Sequence, residues 1–288
     1  MPAFEDTIFE FVRDAELDLA TRFDADIVYF NSEIRMHVFQ WFREVIEKLA
    51  ARENKKEAIA IFLTTPGGEA TAAEKLVEVV RYHYSLVYFV VPVAAMSAGT
   101  IFCMSGDKIY MDYSSSLGPI DPQVPDRDGR LLVPALGHLD KLNDILEKSK
   151  DNSITPVEFE WVMRQDFAML RFYEQAKDLS VALLEDWLVR YKFKDWVTQR
   201  THNKGAPVTD DEKRVRARDI AELLSSNGQW HAHGRMIGIN KLRELLRLDI
   251  DDFGEDIDLR KSVRRYNDTL SGYLSQSRIS TFIYSGLI

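Results

Sequence analysis

Apolar residues recur at helical spacing through IRMHVFQWFREVIEKLAA, residues 34–51, and the spacing predicts an amphipathic helix there. The period then changes. AIAIFLTTPGG, from Ala58, is a short unbroken apolar run stopped by Pro66, Gly67 and Gly68, which reads as a buried strand ending in a turn. EATAAEKLVEVVRYHY returns to helical spacing, with Ala72, Ala73, Leu76, Val79 and Val80 as its inner stripe. LVYFVV is a second buried strand, SAGTIFCMS opens a short helix, and KIYMD is a third strand. Strand and helix in alternation predict an α/β fold of parallel strands joined by helical crossovers.

After Gly118 the texture changes. GPIDPQVPDRDGRLLVP is rich in turn formers, with DRDGR expected as a hairpin or surface loop. Residues 136–200 favour helix and carry Trp161, Phe167, Phe172, Tyr173 and Trp187 at mixed spacing, which predicts long packed helices. RTHNKGAPVTDDEKRVR is a polar connection, and Thr209 followed by Asp210, Asp211 and Glu212 marks a helix start. The tail from Glu255 is charged, then polar, then apolar in FIYSGLI, and is expected to be helical and to be buried against a partner subunit or against its own body. The resulting division is 1–57, an N-terminal strand and helix region; 58–250, a catalytic core with a helical insertion at about 136–225; and 251–288, a helical tail.

Composition narrows the function. A chain of 288 residues has room for one large core, and 45% hydrophobic with 29% charged residues is ordinary for a globular protein. A net charge of −9 argues against nucleic acid as the main partner. The single cysteine, Cys103, excludes an internal disulfide framework and fits a reducing, cytoplasmic setting. The acidic start lacks the basic-then-apolar order of a signal peptide. Ser85 to Gly106 runs 22 residues without a charge, long enough for a bilayer, but Pro92 and the small residues after it read as a buried strand feeding a buried helix, so no membrane span is expected.

The candidate chemistry lies at two turns. Gly67 and Gly68, between a strand and a helix, leave backbone N–H groups open to an oxyanion; a plain tight turn has the same residues. No Lys-Ser or Lys-Thr follows at P-loop spacing, and no G-x-G-x-x-G occurs. Ser97 comes 29 residues after Gly68, a distance that places the ends of two neighbouring parallel strands at one sheet edge. As a helix-start residue Ser97 is an N-cap or a nucleophile, and the Ala98 amide behind it is free to donate.

Taken together, TTPGGEATAAEKL, VPVAAMSAGT and KIYMDYSSSLGPIDPQV resemble the serine dehydrogenase proteinase family, relatives of ClpP and of signal peptide peptidase A. The resemblance covers residues 58–124 closely and 134–248 more loosely. It implies a ClpP/crotonase-like β-β-α spiral with added helical segments, Ser97 as nucleophile, and Gly67, Gly68 and Ala98 at the oxyanion hole. The family's histidine falls in WHAHGR, where His233 is preferred and His231 is the alternate. An exposed loop and a two-histidine metal pair are the other readings of that stretch, and no third ligand supports a metal. Related peptidases use a lysine instead, for which Lys141, 44 residues beyond Ser97, is the candidate; an ordinary surface lysine is its alternative. ClpP's own histidine has no counterpart after SSLGPIDP. Asp121 stands nearby and either orients a base or caps a turn, and His138, close to Lys141, is a further alternate. Cys103 is expected to be a buried apolar group, and His37 and His83 to be packing or surface residues.

The expectation is a homo-oligomeric serine peptidase without metal or cofactor, acting on a peptide or protein through an acyl-enzyme, with any unfolding supplied by a separate partner. A crotonase-type enzyme on acyl-CoA thioesters and a catalytically silent binding homologue are the rival readings.

Overall fold

The structure is a computed structural model that describes residues 2–125, 132–199 and 204–288. Helix α1 (Pro2–Phe23) leads into β1 (Ala25–Asn31), α2 (Met36–Ala50), β2 (Ala58–Thr64) and α3 (Ala70–His83). Next come β3 (Leu86–Val90), β4 (Ala94–Ala95), α4 (Ala98–Met104), β5 (Lys108–Met111), β6 (Ser116–Leu117), β7 (Gln123–Pro125) and β8 (Leu132–Pro134). The helical stretch expected at 136–200 is α5 (Ala135–Lys150), α6 (Pro156–Met163) and α7 (Phe167–Trp187), continued by a π-helical turn, Leu188–Lys192. The chain closes with α8 (Asp210–Ser225), α9 (Asn227–Trp230), β9 (Ile237–Gly238), α10 (Ile239–Glu244), β10 (Asp251–Asp252), α11 (Ile257–Ser277) and β11 (Phe282–Tyr284). The loop expected at 126–130 lies outside the described residues.

The main sheet runs β10-β5-β3-β2-β1-β11, parallel throughout except for β11, and a second sheet runs β4-β6-β9. Strands β1 and β2 are almost wholly buried because both faces of the sheet are covered. Successive side chains point to opposite faces. Ile59, Ile61 and Leu63 therefore pack with α2, α3 and α4, while Ala58, Ala60 and Phe62 pack with α1 and α11. This mixed α/β architecture, an open sheet with a small second sheet and helical additions, is that of the ClpP/crotonase-like expectation.

One sequence expectation changes and one open alternative is resolved. On α3 the buried stripe is Ala72, Ala73, Leu76, Val77 and Val80, with Val79 half-buried at its edge, because the face turned to the core is centred nearer Val77. The tail folds back on its own chain: β11 pairs antiparallel with the edge of β1, Ile283 is buried, and α11 lies against α1. A free parallel-sheet edge carries unpaired backbone groups, and the FIY segment satisfies them. Elsewhere the local signals hold. Thr209 accepts from the Glu212 N–H while the Glu212 side chain accepts from the Thr209 N–H, a capping box that starts α8. Among the described residues no helix is long and apolar enough to cross a membrane.

Candidate active site

Beyond β2 the chain continues as an extended segment beside β4. The Thr65 N–H donates to the Ala94 carbonyl at 3.0 Å, and the Met96 N–H donates back to the Thr65 carbonyl at 3.0 Å. This pairing carries the glycine turn onto the serine turn. A Cβ on Gly67 would lie 2.8 Å from the Ser97 Cβ, so only glycine permits the approach. Gly68 has φ +148°, and a Cβ there would sit 2.1 Å from the Ile34 carbonyl oxygen. The Ile34 N–H donates to the Gly67 carbonyl and the Glu69 N–H to the Ile34 carbonyl, both at 2.8 Å. Those bonds pass over the Gly68 N–H. Among the described residues neither it nor the Ala98 N–H donates to another protein group.

Ser97 has φ 51° and ψ −114°, a conformation that non-glycine residues rarely adopt and that costs on the order of 1–3 kcal/mol. Its side chain makes no capping hydrogen bond, so the N-cap reading does not account for it. The strain is held by neighbours: the Gly99 N–H donates to the Met96 carbonyl at 2.8 Å and the Ile101 N–H to the Ser97 carbonyl at 3.1 Å. Thr100 fastens the helix behind it, its hydroxyl bonded to the Ala95 and Gly118 carbonyls.

The second half of the site comes from β6 and β9. They pair antiparallel with Leu117 opposite Ile237. Asp121 lies four positions past Leu117 and His233 four before Ile237, so the pairing brings the two side chains to one end of the small sheet. There His233 Nδ1 stands 2.8 Å from Asp121 Oδ1. Asp121 is buried, and its other oxygen accepts from Gln123 Nε2 at 2.9 Å. A carboxylate beside Nδ1 favours the tautomer with the proton on that nitrogen, leaving Nε2 as the basic one. The turn carrying His233 is anchored by buried Trp230, whose indole N–H donates to the Leu223 carbonyl at 2.7 Å. The Ile120 N–H in turn donates to the Leu224 carbonyl at 3.0 Å, tying the Asp121 segment to α8.

Ser97, Ala98, Gly67, Gly68 and His233 line one cavity of about 810 Å³. Its apolar wall includes Ile101, Ile120, Leu179 and Phe172, the last two from α7. Exposed Glu33, Arg35 and Glu69 form a charged rim, with Arg35 paired to both glutamates. Helix α7 is held in place at its C-terminal end, where Trp187 and Leu188 are buried and the Arg81 guanidinium lies 3.7 Å from the Tyr191 ring centroid while bonding Asp107.

The other predicted residues lie elsewhere. Lys141 is exposed on α5 and does not line the cavity. His138 is half-buried, with its ring 5.8 Å from that of Tyr173. His231 is exposed in the turn beside Trp230, at φ 64°. Among the described residues no cluster of His, Cys, Asp and Glu is arranged to hold a metal ion. Cys103 is buried, and burial pushes its thiol well above its ordinary range. Sequence reasoning missed the Gln123 contact and the wall formed by α7. The Asp-Pro-Gln spacing, two residues from carboxylate to amide, was the only local trace of the first.

The motifs, fold and site resemble those of the ClpP/signal peptide peptidase A class of serine proteases. Residues 42–151, less than half of the chain, match the family described as ClpP-like SDH-type serine proteinase. Two uncharacterized proteins of Methanocaldococcus jannaschii are similar: one is 33% identical over 137 residues, 46% of this chain and 47% of its own length, and the other is 27% identical over 187 residues, 65% of this chain and 50% of its own. The chain thus spans about half the length of these curated relatives. Two solved structures of a 1510-N membrane-bound stomatin-specific protease, one in complex with a substrate peptide, align over 81% of this chain. They cover 82% and 77% of those chains at 15% and 17% identity, with TM-scores of 0.47 and 0.45.

Proposed function

We propose that this chain is a serine peptidase in which Ser97 is the nucleophile, His233 the general base and Asp121 the residue that orients it. The observation that carries this reading is the strained Ser97 at the start of α4, sharing a cavity with a histidine whose Nδ1 stands 2.8 Å from a buried carboxylate. In the proposed course the Ser97 Oγ bonds to the peptide carbonyl carbon as its proton passes to His233 Nε2. The Gly68 and Ala98 N–H groups receive the oxyanion, and Gly67 admits the close approach. Collapse breaks the C–N bond while His233 returns its proton to the leaving amine, and a water molecule releases the acyl group by the same steps.

A lysine base is disfavoured because Lys141 is exposed and outside the cavity. An acyl-CoA reading would need free cations for the nucleotide, and among the described residues Arg35, the cation on the cavity rim, is already paired with Glu33 and Glu69. A homo-oligomer in the cytoplasm acting on peptide or protein substrates completes the proposal; exposed Phe159, Met163 and Phe167 on α6 and α7 support association. A fluorophosphonate probe tests the chemistry. Covalent labelling that maps to Ser97 and disappears in Ser97→Ala and His233→Gln supports the peptidase; labelling of neither wild type nor variants favours the silent homologue, and acyl-CoA turnover without labelling favours the crotonase.

A further inference from the structure

Among the described residues, the Gln123 side chain is the one group besides His233 that bonds the buried Asp121 carboxylate. A carboxylate only accepts hydrogen bonds, so the amide must present its Nε2 to Asp121 Oδ2, and the 2.9 Å contact fixes which way the amide is turned. The two oxygens of Asp121 are thereby divided: Oδ2 faces Gln123 and Oδ1 faces His233 Nδ1. With Oδ2 held, rotation of the carboxylate about its bond to Cβ would break a charge-assisted bond inside the protein, where an unpaired carboxylate oxygen is costly.

The backbone under Gln123 is hydrogen-bonded on its own account. Gln123 stands opposite Pro134 in the β7–β8 hairpin, and the Ala135 N–H donates to the Pro122 carbonyl at 2.9 Å, joining the hairpin to the start of α5. The side chain therefore extends from a paired strand onto Asp121, and it also lines the cavity that holds Ser97. We infer that Gln123 is a positioning residue for the peptidase reaction: by occupying Asp121 Oδ2 it aims Oδ1 at His233 Nδ1 and so keeps His233 Nε2 as the nitrogen that serves Ser97. This rests on the serine peptidase reading, and it assigns Gln123 no contact with the reacting atoms.

Gln123→Leu keeps the approximate volume and removes the donor; Gln123→Glu keeps the shape and replaces the donor with an acceptor at neutral pH. In both, kcat is expected to fall about 10-fold or more, a part of the roughly 10²–10⁴-fold that a placed general base contributes, with KM changed less than 3-fold. A residue that merely lines the cavity would move KM instead. A second measurement needs no turnover. Nitrogen NMR of histidine-labelled Ser97→Ala protein reads the His233 tautomer directly, and the Nδ1–H form expected to dominate there gives way to a mixture when Gln123→Leu is added. An unchanged tautomer with unchanged kcat overturns the inference, as does a change in KM alone. Loss of the Nδ1–H tautomer on Gln123→Leu in a protein that no probe labels at Ser97 would leave the positioning role standing and remove the peptidase reading, so the two fail separately.

Discussion

A Cβ added at Gly68 would meet the Ile34 carbonyl oxygen at 2.1 Å, far inside contact distance, in a backbone conformation that L side chains rarely adopt. Gly68→Ala should therefore cost about 2–4 kcal/mol of stability, from clash and strain together, and urea unfolding reads the loss. The same change would displace the N–H proposed for the oxyanion, so peptide hydrolysis should fall by about 10²–10³-fold. Ser97→Ala is the contrasting case. It removes one oxygen from a half-buried side chain that lines the cavity, without opening a core cavity, and it should abolish hydrolysis with stability changed by less than about 1 kcal/mol in the same unfolding experiment. Asp121→Asn should leave the fold intact but lower kcat by about 10²–10⁴-fold, because an amide holds the wrong histidine tautomer as readily as the right one.

At the scale of elements, the attachment of the tail depends on a buried acid. Glu16 of α1 accepts hydrogen bonds from the Tyr266 hydroxyl of α11 at 2.7 Å and from the Ser285 hydroxyl and Gly286 N–H at the chain end, at 2.8 and 2.9 Å. Burial lifts its carboxyl from the ordinary range to about 7, against the lowering effect of those donors. Because the folded value lies above the unfolded one, the folded state binds the proton more tightly. The contribution is complete below about pH 4.5 and is lost as pH rises through about 7, amounting to about 3 kcal/mol in order of magnitude. Glu16→Gln retains the donors' partners and cannot ionise. Urea midpoints of the wild type should fall between pH 5 and 8 by more than those of Glu16→Gln, and parallel pH profiles for the two proteins would contradict the assignment.

For the whole molecule, β11 closes one edge of the main sheet and covers part of the second core layer. Deleting residues 280–288 would expose the β1 edge and remove two partners of Glu16. Loss of about 3 kcal/mol corresponds to a Tm lower by roughly 5 °C for a chain of 288 residues. That drop is expected whatever the oligomeric state, since the contacts are within one chain; light scattering alongside the melt separates it from dissociation.

Residues 34–111 carried their structure openly. The apolar run from Ala58, the glycine pair, the helical stripe after it and the small residues around Ser97 each act over a few positions, through side-chain period and backbone sterics, so a linear reading recovers them. Sequence by itself determined the parallel α/β core, the serine turn and the glycine turn, and it left Asp121 and Lys141, His231 and His233 as open alternatives. Tertiary structure decided among their positions. Asp121 and His233 are 112 residues apart and meet because β6 pairs with β9, a two-residue ladder too short to carry a periodic signal. Helix α7 becomes a cavity wall because Arg81, Asp107 and buried Trp187 hold its far end. The terminal FIY segment reads as an apolar tail to be buried against a partner subunit or its own body, and the exposed edge of β1 is what receives it. In each case the deciding interaction is a long-range pairing whose free energy depends on a surface that other parts of the chain must first build, and no local pattern encodes such a surface.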